Sequence, residues 1–224
     1  MIDFKKIIAR LRGLNYWKTI YANFAYLPWS IAYRFPIFVY GRVELRNVQN
    51  GRVVFRSPKI TPGMFSFGIP IIDVQPKSVT SVLNIKGTCY IYGNVCVGKG
   101  GMIEVANGAT LSIGNNTTIT GNTTFISTQE ISIGDRCMIS WENLIMDSDW
   151  HNIVDLNTGN VKPKQKPITI GNHVWIGCRC TILKGTSIPD DSIVASNSKI
   201  SKVFTSSNVV IGSNNILREE VNWG

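Results

Sequence analysis

The stretch Asp147-Ser148-Asp149-Trp150-His151-Asn152-Ile153 concentrates groups that can move a proton. His151 is one of only two histidines in the 224 residues. Imidazole changes charge near neutral pH, with an ordinary pKa of about 6.5, so it can take a proton from a hydroxyl and return it. Asp149 has the same parity as His151 along an extended segment, which puts both on one face. A carboxylate there would orient the ring or stabilise its cation. Asp147 shares the parity at greater distance. A histidine in a polar loop can also be merely solvated, so the surrounding chain has to decide.

The bulk composition narrows the field. The chain is 44% hydrophobic and 17% charged, as in a folded domain. Its length suits one domain, or one domain with an arm. The formal charge of +9 favours anionic partners without choosing among them. Nucleic acid would fit the charge, but no nucleic-acid motif accompanies it. The cysteines are Cys89, Cys96, Cys137, Cys178 and Cys180. Their odd number, with no secretory signal read before them, points to a reducing cytoplasm. Cys178-Arg179-Cys180 lacks a second pair at zinc spacing, so no metal site is expected. The longest uncharged stretch, Thr19 to Tyr33, is too short to span a bilayer and is broken by Asn23 and Pro28.

The elements that must position His151 are written in a repeat. From Ile170, steps of six meet Ile176, Ile182, Ile188, Val194 and Ile200. From Val174 they meet Cys180, Thr186, Ser192 and Ser198, all small. Upstream, Ile85, Ile91, Val97 and Ile103 form one register; Ile113, Ile119 and Phe125 a second; Ile133, Ile139 and Ile145 a third. Each change of register implies an insertion or an adjusted corner. A period of six fits a short strand followed by a sharp turn, three of which close a triangular coil. The aliphatic residue points to the axis, the small one fills the corner, and Gly, Asn and Asp take the unusual backbone conformations. One coil cannot bury its own inner face, so stability comes from stacking.

This pattern resembles the hexapeptide-repeat acyltransferases, whose fold is a left-handed parallel β-helix, against the usual crossover hand. The likeness covers roughly residues 85–224. Within that family, Asp147 to Ile153 resembles the Asp-x-Asp-x-His segment of sugar and polysaccharide O-acetyltransferases. Lys166 to Gly177, with its Val174-Trp175-Ile176-Gly177, and Ile182-Leu183-Lys184-Gly185 resemble two further blocks. The expected fold is therefore all-β: a left-handed parallel β-helix over residues 46–224, preceded by a helical and aromatic arm over residues 1–45.

The resemblance implies chemistry for named residues. His151 is the catalytic base, with Asp149 beside it. Trp175 covers the pantetheine of acetyl-CoA, the acyl donor, and the backbone N–H of Cys178 is a candidate oxyanion donor. Gly177, Ser196, Lys199, Ser201 and Lys202 match cofactor-binding positions. Asn143 and Trp150 are expected at the acceptor. His173 is read as a turn residue. The family implies a homotrimer with active sites between subunits. The ending departs from the family's usual one: Ile211 to Arg218 lacks its proline and lysine.

The arm has two readings. Phe4, Ile7, Ile8, Leu11 and Leu14 share one helical face, with Lys5, Lys6, Arg10 and Arg12 elsewhere, followed by the aromatic run from Tyr16 to Tyr40. It is either a cap on the solenoid end or a segment of residues 1–40 that touches a membrane surface. The function expected is O-acetylation of a sugar hydroxyl, on a bacterial surface polysaccharide or its precursor. Rivals are an N-acetyltransferase on an amino sugar, a serine-acceptor enzyme, and a non-catalytic solenoid suggested by the threonines from Thr117 to Thr124. A γ-class carbonic anhydrase would need a third histidine.

Overall fold

The computed structural model describes residues 11–48, 52–71, 75–76 and 78–224. The short strands of the repeat stack in parallel into three flat faces of a prism. The first face runs from Ile37–Val39 through Phe65–Ile69, Val95–Gly98, Thr117–Ile119, Met138–Ile139, Trp175–Ile176 and Ile193–Val194 to Val210–Gly212. The second runs from Val43–Arg46 to Lys199–Ile200, and the third from Arg52–Phe55 to Ser187–Ile188.

The six-residue period becomes three ladders of buried side chains. On the first face Val39, Phe67, Val97, Ile119, Ile139, Ile176, Val194 and Ile211 stand in register. On the second, Leu83, Ile103, Phe125, Ile145, Ile182 and Ile200 do so, and on the third Phe55, Ile91, Ile113, Ile133, Ile170 and Ile188. Nearly all are fully buried, each worth roughly 1.5–3 kcal/mol relative to exposure. One assignment shifts. Ile85 is buried but pairs with Val105, beside the Leu83–Ile103 ladder and outside the three columns. The small residues Val174, Cys180, Thr186, Ser192 and Ser198 are all buried at the corners.

The corners explain the spacing of the polar residues. His173, Arg179, Gly185, Asp191 and Asn197, six apart, all have positive φ between 54° and 75°. This region disfavours most side chains and turns the chain sharply. A column of side chain to backbone bonds climbs the corner before the first face. Asn115 Oδ1 accepts from Asn94 N, Asp135 Oδ1 from Asn115 N, Asn172 Oδ1 from Asp135 N, and Asp190 Oδ1 from Asn172 N.

At the start of the chain, helix α1 (Tyr16–Tyr26) is capped by Asn15, whose side chain accepts from Lys18 N. It ends at Leu27 because Pro28 disfavours helical geometry before it. Helix α2 (Trp29–Ala32) follows. Asn23 bonds both the N–H and the C=O of Ile37, and Thr19 Oγ1 accepts from Val39 N. These are the outward groups of the terminal strand, so α1 closes that end of the stack. The sheets begin at Ile37, ahead of the boundary expected at residue 46. The helix expected over Phe4 to Leu14 lies largely outside the described residues. Among the described residues no helix is long and apolar enough to cross a membrane.

Candidate active site

Between Ile145 and Ile170 the repeat is interrupted by an arm that carries His151. Its root is built like a zipper. Asp149 N donates to Lys164 O at 2.8 Å, Lys166 N to Asp147 O at 3.0 Å, and Ser148 bridges Gln165. Beyond the root, Ile153–Val154 pairs antiparallel with Val161–Lys162. The tip turns around Asp155, whose carboxylate accepts from Asn157 N and Thr158 N. Those two backbone donors, Thr158 first, hold its pKa below the usual value. Every residue from Trp150 to Lys164 is exposed.

Asp147 fixes the arm to the body. It is 0% exposed. Oδ1 accepts from Thr128 N at 2.7 Å and Thr128 Oγ1 at 2.8 Å, and Oδ2 accepts from Gln129 N and Glu130 N, both at 2.8 Å. A buried carboxylate is tolerated only with such a set of donors. The acidic residue given least weight in the sequence is thus the one most deeply built in.

Asp149 does not meet His151. Its Oδ2 lies 2.5 Å from Lys184 Nζ, which also donates to Pro163 O at 2.7 Å. The shared parity misled because Trp150 takes a positive φ of 58° and breaks the extended run between them. His151 itself is exposed, and among the described residues it makes no hydrogen bond or ion pair. Trp150 is 54% exposed, with its N–H donating to Ser148 Oγ.

The residues expected at the donor lie elsewhere on the prism. Trp175 is 38% exposed on the first face, and its indole N–H already donates to Ser140 Oγ at 3.2 Å. Gly177 stands where two coils approach closely: a Cβ there would lie 2.7 Å from Ser196 N. Cys178 Sγ is 3.5 Å from Ser196 Oγ. The Cys178 N–H donates to no acceptor among the described residues. The same holds for the N–H groups of Trp141 and Ser196, which stand in register with it in the coils on either side. Lys199 and Lys202 are exposed, and Ser201 is tied to Asn214 by two hydrogen bonds. A single chain therefore brings Trp175, Gly177, Cys178 and Ser196 together, and leaves His151 apart on its arm.

Asn143, expected at the acceptor, is held inside a corner. It is 2% exposed, its Oδ1 accepts from Cys180 N at 2.7 Å and its Nδ2 donates to Ser140 O at 2.6 Å. Its amide builds the corner. His173 is a turn residue with φ 54°, and it does more: Nδ1 lies 2.8 Å from Asp191 Oδ1, and Trp223 stacks on its ring at 4.4 Å. Lys184 and Trp223 were missed as site neighbours. Lys184 stood inside the Ile182 to Gly185 block, which was the available signal.

The flat parallel faces and six-residue corners make a parallel β-helix built on a hexapeptide repeat, a fold shared with a solved acetyltransferase. Residues 167–202 match the family model described as bacterial transferase hexapeptide (six repeats). The chain is 28% identical over 202 residues to an uncharacterized 24.8 kDa protein in the cps region of Klebsiella pneumoniae, covering 89% of this chain and 86% of that one. It is 35% identical over 113 residues to the polysialic acid O-acetyltransferase of Neisseria meningitidis, covering 49% of this chain and about half, 52%, of that enzyme. The crystal structure of the polysialic acid O-acetyltransferase OatWY superposes with a TM-score of 0.58 at 27% identity, over 84% of this chain and 90% of that one.

Proposed function

We propose that the chain is an acetyl-CoA-dependent O-acetyltransferase that acetylates a sugar hydroxyl of a bacterial surface polysaccharide or its precursor. The observation that carries this is the free imidazole of His151, held out on an arm whose root is fixed by Asp147. The likeness to polysialic acid O-acetyltransferase, in sequence and in structure, supports the acceptor class. In this reading His151 takes the hydroxyl proton as the acceptor oxygen attacks the thioester carbonyl. The oxyanion is met by the unpaired N–H of Cys178. Collapse expels the CoA thiolate, which takes the proton from His151. Trp175, Gly177 and Ser196 form the donor wall, and Lys199, Ser201 and Lys202 contact the rest of the cofactor.

The separation of His151 from that wall is the reason to propose a homotrimer, in which one subunit's arm reaches the neighbour's donor wall. The enzyme works in the cytoplasm, with residues 1–40 in peripheral contact with the inner face of the membrane.

The test is transfer of labelled acetyl from acetyl-CoA to soluble oligosaccharides, sialic acid polymers first, read by mass. His151→Ala should lower turnover by about 10²–10⁴-fold with an unchanged melting temperature, since its ring supports nothing in the fold. Near-normal turnover in that variant would remove His151 from the chemistry.

A further inference from the structure

Among the described residues, the outer side of α1 has no partner. Because Asn23 and Thr19 grip the outward groups of Ile37 and Val39, α1 sits beyond the first rung along the solenoid axis. Its opposite side looks away from the whole stack. That side carries Trp17, 83% exposed, with Ile20 and Tyr21 beside it. Trp29, 78% exposed, and Tyr33 extend the surface. An open apolar groove of about 600 Å³ adjoins it, between Leu14, Ile20, Phe35, Phe38 and Ile60. An apolar surface of this extent marks an interaction site.

Charge selects the occupant. From Phe4 to Val43 the sequence has no aspartate or glutamate. Arg12, Arg34 and Arg42 are exposed around the aromatic surface. A second copy docking here would set like charges against each other. An acidic lipid surface would meet the arginines while the Trp and Tyr rings enter the headgroup layer, where such rings concentrate.

We propose that the α1–α2 end of the solenoid is a docking face for an anionic lipid surface, and that docking stands the solenoid on end. The inference rests on the membrane contact in the function proposed above and names its surface and chemistry. It also sets a height. The strand that leads into the His151 arm, Leu144–Met146, is the fifth on its face after Val43–Arg46, Ser81–Ile85, Met102–Val105 and Thr124–Ser127. Four strand spacings of ~4.8 Å place the arm's root about 19 Å above the first rung. An acceptor carried on lipid is then reached well away from its lipid end, so the sugar beside the lipid escapes acetylation. Threefold symmetry would put three such faces on one side and strengthen the attachment.

The test floats the full chain with vesicles of phosphatidylcholine alone or with phosphatidylglycerol. Anionic vesicles should carry about tenfold more protein, and high salt should reverse it. The variants Trp17→Ser/Trp29→Ser and Arg12→Glu/Arg34→Glu should each lose that binding while keeping the wild-type circular dichroism and wild-type transfer to a soluble oligosaccharide. Equal recovery with both vesicles, or none, overturns the proposal. So does a fall in assembly size in Trp17→Ser/Trp29→Ser without vesicle binding, which assigns the face to a second copy. Acetate on the sugar next to the lipid of a vesicle-held acceptor overturns the upright arrangement. Flotation is read without any acceptor, so failure of the transferase reading would appear as binding without transfer.

Discussion

Lys184 Nζ lies 2.5 Å from Asp149 Oδ2 and 2.7 Å from Pro163 O, so one ammonium group joins both strands of the arm's root to the next coil. In the proposed mechanism, Asp149 acts on His151 through the placement of the arm. Lys184→Met and Asp149→Asn should each lower kcat by about 10–100-fold, since a displacement of ~1 Å is enough for that. KM for the donor should stay constant, and the double variant should be no worse than either single one. Additive losses would mean that the two residues act separately.

Asp147 makes a different prediction, on stability. Asp147→Ala leaves the N–H groups of Thr128, Gln129 and Glu130 facing a cavity. The cost should be ~3–5 kcal/mol in urea unfolding, the range for breaking a buried charged network. A loss below 1 kcal/mol would show that water replaces the carboxylate freely.

Ile182 is fully buried between Ile145 and Ile200. Ile182→Ala should cost about 2–5 kcal/mol. Ile182→Asp should give no cooperative melting transition, because the ladder offers a carboxylate no donor. A folded Ile182→Asp protein would contradict the stacking account.

Burial pushes the Cys89 thiol from 9.0 up to about 12. The folded state then keeps a proton that the unfolded chain loses above pH 9. Stability is unaffected by this group below pH 9 and falls between about pH 9 and 12, at up to roughly 1.4 kcal/mol per pH unit. Cys89→Ala should flatten that alkaline fall, measured as urea midpoints from pH 8 to 10.5. An identical slope in the variant would assign the loss to other groups.

The ladders from Ile170 to Ile200 could be read from sequence because each inward position sees only copies of itself. The small corner residues were legible for the same reason. The arm's anchoring was not: Asp147 and Lys184 find their partners across coils, and spacing along the chain carries no trace of that. Nor were the corner bonds of Asn143, one of whose partners, Cys180, lies in the next coil. Helix α1 was hidden because its buried face is Thr19, Ala22, Asn23 and Tyr26, which has no apolar period. Its conspicuous aromatics are on the side that faces away.

The two ends of the prism also matter to its state of assembly. A stack of identical rungs is a template for its own endless growth, as in cross-β fibres. At one end α1 occupies the outward groups of Ile37 and Val39. At the other, Asn215–Arg218 folds back antiparallel onto Val210–Gly212, reversing the strand direction that a further parallel rung would need. Helix α1 and the Asn215–Arg218 strand therefore act as stoppers. Removing either element should turn a discrete enzyme into a seed for filaments.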